Sequence, residues 1–163
     1  MKNNATKFLK AALIILAIPV LTFLLLVLPK IGWEGIQQLV EGPIIASTIL
    51  AITMLLYLSA IPFFAALFQA NKLLNYIQNE EAFSVLSVQA LHKIKRFAFT
   101  ISGLYLISLP LFYIWAEWDD APGLILIGCV FLGASLVVGI FANVLELLLE
   151  EAIRMKNEIE LTV

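Results

Sequence analysis

Residues 121–145 read APGLILIGCVFLGASLVVGIFANVL, and this stretch decides the fold. It holds no Asp, Glu, Lys or Arg, and it is long enough to cross a bilayer. A helix rises about 1.5 Å per residue, so roughly 20 apolar residues traverse a ~30 Å hydrocarbon core. Working outward, three more stretches lack every charged residue: 97–116, 42–71 and 11–29. They predict spans at about 9–29, 43–70, 97–116 and 121–145. A loop at 71–96 and a tail at 146–163 complete one domain, 1–163. The spans are expected to be helical, because in lipid each helix satisfies its own backbone N–H and C=O groups. Barrel strands would show alternating segments of about ten residues, and none occurs. The expected fold is therefore all-α: an integral membrane four-helix bundle with cytoplasmic amphipathic helices.

Composition agrees. Hydrophobic residues make up 62% and charged residues 13% of the chain, with a mean hydropathy of +1.00. Soluble domains carry about 25% charged residues, so lipid must solvate much of this surface. The lone cysteine, Cys129, excludes an internal disulfide. One cysteine with one histidine, His92, also excludes the usual Cys/His zinc spacings.

The basic residues predict direction. Lys2, Lys7 and Lys10 precede the first span, Lys72, Lys93, Lys95 and Arg96 lie in the central loop, and Arg154 and Lys156 lie in the tail. Only Lys30 falls on the other side. By the positive-inside rule the termini and central loop face the cytoplasm. Trp33, Trp115 and Trp118 fall at the opposite interface, where an aromatic belt belongs. The first span reads as a retained signal-anchor, since no small-residue cleavage site follows its apolar run.

Between the first two spans, Trp33, Ile36 and Leu39/Val40 have nearly helical spacing, which predicts a short helix resting at the interface. The second span is longer than needed and predicts a helical extension through Phe68 and Leu73. Ser84 or Ser87 is placed to cap a helix leading into the third span, with Val88, Leu91 and Ile94 as its apolar stripe. His92, Lys93, Lys95 and Arg96 form a basic group there. It reads as a topogenic anchor, or as a grip on anionic headgroups. The tail predicts an amphipathic helix with Leu145, Leu148, Leu149, Ala152 and Ile159 on one face and Glu146, Glu150, Arg154 and Asn157 on another. Glu150 and Arg154 have the spacing of an i,i+4 pair. The apolar face requires a partner: the central-loop helix, a second protomer or a cytoplasmic protein.

Residues that carry chemistry are missing from the spans. Transporters tend to keep ionisable groups within the bilayer, and intramembrane serine proteases need a His or Lys near the Ser. Neither arrangement occurs, and no phosphate loop or H-E-x-x-H motif is present. The sequence supplies no catalytic, cofactor-binding or metal-binding residues. Four dispersed basic residues without stacking aromatics argue against direct nucleic-acid binding. Cys129/Gly133 and Ser135/Gly139 have the small-xxx-small spacing of close helix contacts, within one chain or in a homo-oligomer. Pro19, Pro62 and Pro110 predict bends. Glu34, Glu41, Glu117, Asp119 and Asp120 leave the external turns acidic.

The segments EEAFSVLSVQALHKIKRFAF and EEAIRMKNEIELTV resemble the family catalogued as domain of unknown function 2975, small four-span bacterial membrane proteins. Phe83, Ser84, Leu91, Ile94 and Lys95 carry the loop match. Glu151, Ala152, Lys156, Glu158, Leu161 and Thr162 carry the tail match. Ile159 departs from a more usual Asn, and Val163 stands for a usual Ile. The resemblance implies an inner-face partner, a small cytoplasmic helix-turn-helix regulator, docked through Phe83, Ser84, Leu91, Ile94, Lys95, Glu151, Lys156, Glu158, Leu161 and Thr162. The expected function is thus a non-enzymatic membrane regulator or sensor without a cofactor. The rival reading is a small transporter, or an immunity protein against membrane-active peptides.

Overall fold

A computed structural model describes residues 2–162, and the side chain of Lys2 and all of Val163 lie outside the described residues. Four candidate spans are present, each a helix long and apolar enough to cross a membrane. The first is built from α1 (Lys2–Thr22), a π-helical turn (Phe23–Val27) and α2 (Leu28–Gln37). The others are α3 (Pro43–Gln78), α4 (Val85–Trp118) and α5 (Gly123–Thr162).

The helix expected at the interface between the first two spans is instead the direct continuation of the first. The π turn makes this continuation workable. Leu28 N–H bonds to the Phe23 carbonyl, five residues back. The next donor in that series would be Pro29, which has no N–H. The Leu24 carbonyl is left over, and Tyr57 Oη on α3 donates to it at 3.1 Å. A carbonyl left without a partner in lipid is costly, and the Tyr57 hydroxyl satisfies this one.

The connections are short, and their chemistry is local. Gly42 caps α3, with Pro43 in the first turn, where a missing N–H costs nothing. At the end of α3, Glu80 N–H bonds to the Ile77 carbonyl and Glu81 N–H to the Tyr76 carbonyl, a Schellman ending with Glu80 at φ 64. The end of α4 repeats this with Asp120 at φ 49 and Ala121 N–H on the Ala116 carbonyl. Ser84 is the residue that caps α4, accepting from Ser87 N–H. Ser87 is fully buried and donates its hydroxyl to the Glu81 carbonyl at 3.1 Å.

The helices pack in chain order. The first helix lies on α3, α3 on α4 and α4 on α5, and among the described residues no other pair shares an extensive contact. Both outer helices therefore present most of their circumference to lipid. On α5 the residues turned toward α4 repeat at spacings of four and three: Gly128, Leu132, Ser135, Gly139, Ala142 and Glu146, continuing through Leu149 and Ile153. This is the seam of a left-handed helix pair. Small residues set its closeness. A Cβ on Gly139 would lie 3.0 Å from the Phe99 ring, and one on Gly128 3.1 Å from Leu109 and Phe112. Ser102 and Ser135 hydroxyls meet across the seam at 3.0 Å. The other predicted small pair makes no close contact within the chain: Cys129 is exposed, and a Cβ on Gly133 would meet nothing within 4 Å.

Candidate functional site

Antiparallel α4 and α5 share a tight turn, so the start of α4 comes level with the end of α5. His92 and Lys95 stand three residues apart on one face of α4. Opposite them, where the uncharged run of α5 ends, is Glu146. His92 Nδ1 lies 2.8 Å from Glu146 Oε1 and Lys95 Nζ lies 2.8 Å from Oε2. Glu146 is 7% exposed and is the one charged residue buried among the described residues. The side chains of His92 and Lys95 are 47% and 20% exposed. The carboxylate thus sits inside the helix contact while its partners reach it from the water side.

Burial by itself pushes the Glu146 carboxyl upward. The hydrogen bonds from Lys95 and His92, and their charges, outweigh that effect and hold it below the ordinary carboxylate range. This cluster corrects two expectations. Glu146 is not on a solvated face with Glu150, Arg154 and Asn157; it is on the seam with Ala142, Leu149 and Ile153. Its signal was the four-and-three spacing from Gly139, which an apolar/polar division of the tail overlooks. Lys95, expected to meet lipid headgroups or a partner, is engaged within the chain. The tail also pairs differently: Arg154 bonds Glu151 at 2.6 Å, three residues away, in place of Glu150.

A second cluster ties the first helix to the same end of the molecule. Lys10 Nζ donates to Asn75 Oδ1 at 2.6 Å and to Gln78 Oε1 at 3.1 Å, and Gln78 Nε2 donates to Asn3 Oδ1 at 3.4 Å. Lys72 Nζ stands 4.9 Å from the centre of the Phe68 ring, a cation–π contact. The start of α1, the end of α3, the start of α4 and the end of α5 therefore gather at one end, which carries nine of the ten Lys and Arg against seven of the twelve Asp and Glu and is the more basic of the two. At the opposite end, Glu34, Glu41, Glu117, Asp119 and Asp120 are all exposed. Gly42, Ile45, Ile114, Glu117 and Trp118 help line a shallow depression of about 410 Å³ there. Among the described residues, no three His, Cys, Asp or Glu converge to hold a metal.

The residues expected to dock a partner divide into two groups. Leu91 is buried, Ile94 is half-buried, Ser84 is the cap of α4 and Lys95 is in the Glu146 cluster. These four serve the fold. Phe83, Glu151, Lys156, Glu158, Leu161 and Thr162 are exposed, Leu161 by 88%. From Arg154 to Thr162 every residue is exposed, so the last nine residues of α5 stand clear of the other helices.

No solved structure matches this chain. A protein of Bacillus subtilis (strain 168), described as "Uncharacterized membrane protein YoaS", is 47% identical over 163 residues, the full length of both chains. Residues 3–163 match the family described as "Protein of unknown function (DUF2975)". With four apolar helices of spanning length and a relative of equal length, the chain is a multi-pass membrane protein and belongs to the DUF2975 family.

Proposed function

We propose that this protein is a non-enzymatic regulator or sensor of the bacterial cytoplasmic membrane, with both termini and the 79–84 turn in the cytoplasm. Its output is the projecting end of α5. The observation that carries this reading is the Glu146 cluster. It fastens the tail to α4 where the uncharged run ends, so α5 remains one helix of 40 residues, about 60 Å long. Such a helix extends well past a ~30 Å hydrocarbon core. A change in bilayer thickness, tension or a lipophilic ligand that tilts α5 would move its tip as a lever. Charge supports the orientation, since nine of ten Lys and Arg lie at the basic end.

The partner this reading favours is a soluble helix-turn-helix regulator, as the family resemblance implies, held by Phe83, Glu151, Lys156, Glu158, Leu161 and Thr162. The test compares recovery of that regulator from membranes containing the intact chain or a chain ending at Ile153, which keeps the seam and the Glu146 cluster. Loss of recovery on truncation is expected. Equal recovery would remove the tail as the docking element.

A further inference from the structure

α5 carries a second seam, one residue out of phase with the first. Val138, Phe141, Leu145, Leu148, Met155 and Ile159, with Ala152 between, keep spacings of three and four. All six named apolar residues are exposed, and Ala152 is half-buried. The part within the bilayer is satisfied by lipid. From Leu148 onward the seam has left the uncharged run, and α4 covers only the neighbouring face. A free helical segment of nine residues is marginal in water on its own.

We propose that a second copy of this chain covers this seam, with the two α5 helices parallel. Two copies inserted in one membrane share an orientation, so a parallel pair is the arrangement topology allows. Charge fits that pair. In a parallel coiled coil the residue before one core position faces, across the interface, the residue five places further along. Glu151 precedes Ala152 and Lys156 follows Met155, so each Glu151 faces Lys156 of the second copy, twice in the symmetric pair. The Glu151–Arg154 contact is exposed, and the second carboxylate oxygen leaves Glu151 able to accept from both. The seam lies on a different face from Arg154, Asn157 and Leu161, which remain open; Glu151 and Lys156 are taken up by the pair, which leaves Phe83, Glu158, Leu161 and Thr162 for a cytoplasmic partner.

The inference does not depend on a cytoplasmic partner, and its test needs only the full-length chain in its own membrane. In a Cys129→Ser background, Met155→Cys and Ile159→Cys are oxidised in native membranes beside Asn157→Cys, on the outer face. Disulfide-linked species at twice 18.1 kDa are expected from the first two and not from the third. Glu151→Lys and Lys156→Glu should each lower Met155→Cys cross-linking several-fold, and the two together should restore it. Equal cross-linking at all three positions would overturn the proposal. So would cross-links of Met155→Cys and Ile159→Cys only to a different protein, or no cross-link at either.

Discussion

Replacing Glu146 with Ala should release the tail from α4 without unfolding the spans. The carboxylate has His92 Nδ1 2.8 Å from one oxygen and the Lys95 ammonium 2.8 Å from the other. A buried hydrogen bond to a charged group contributes about 1.5–3 kcal/mol. Lys95, the less exposed partner, should supply about 2 kcal/mol. Half-exposed His92 should supply about 1 kcal/mol, as expected for a solvent-screened pair. The sum is about 3 kcal/mol, at the low end of the range for breaking a buried ion pair. A factor of ten corresponds to about 1.4 kcal/mol. Hydrogen exchange of amides 147–153, measured in nanodiscs, should therefore quicken about 100-fold in Glu146→Ala. The corresponding figures are about 30-fold in Lys95→Met and about 5-fold in His92→Ala. Glu146→Leu combined with Lys95→Met should recover most of the protection, because an apolar pair fills the seam without desolvating charge. Less than a 5-fold change in Glu146→Ala would refute the assignment of Glu146 as the clamp.

The same clamp should respond to acid. A carboxyl depressed in the folded state contributes stability above its unfolded value, about 4.3, and loses it as pH falls through the folded value. Exchange protection of the tail should hold from neutrality to about pH 5 and fall only below about pH 4; loss complete by pH 6 would implicate another group. Gly139→Ala should lower thermal stability by about 1–3 kcal/mol because its Cβ meets the Phe99 ring. Gly133→Ala, with open space around it, should be neutral or stabilising by about 0.5–1 kcal/mol. Tyr57→Phe frees the Leu24 carbonyl and should cost about 1 kcal/mol in a detergent melt. Glu80→Gly removes a left-handed penalty at φ 64 and should raise stability by up to about 1 kcal/mol.

The spans could be read directly because lipid imposes one requirement on composition, and residues 121–145 meet it without exception. Which face of each span meets a neighbour could not be read in that way. In lipid the exposed and buried faces are both apolar, so hydropathy has no phase to reveal. The small-residue spacing found one contact within the chain, Ser135/Gly139, and one pair, Cys129/Gly133, that faces away from α4. The place of Glu146 is hidden for a related reason. Just past the span, the tail's hydropathy pattern favours putting every charged residue on one outer face, whereas the seam continues straight through the boundary. The carbonyl freed where the first span continues past Pro29 finds its partner in Tyr57, 33 residues away. Helix caps are local, and Ser84 was accordingly within reach of the sequence.

The regulator account stands or falls on the side of the membrane that holds the basic end. In a Cys129→Ser chain, Asp120→Cys and Ile159→Cys report the two ends, and both native side chains are exposed. The measurement is labelling of intact cells with a membrane-impermeant thiol reagent, repeated after permeabilisation. Labelling of Asp120→Cys in intact cells, with Ile159→Cys reached only after permeabilisation, is the predicted result. Labelling of Ile159→Cys in intact cells, with Asp120→Cys protected, would place the α5 tail outside and contradict the account.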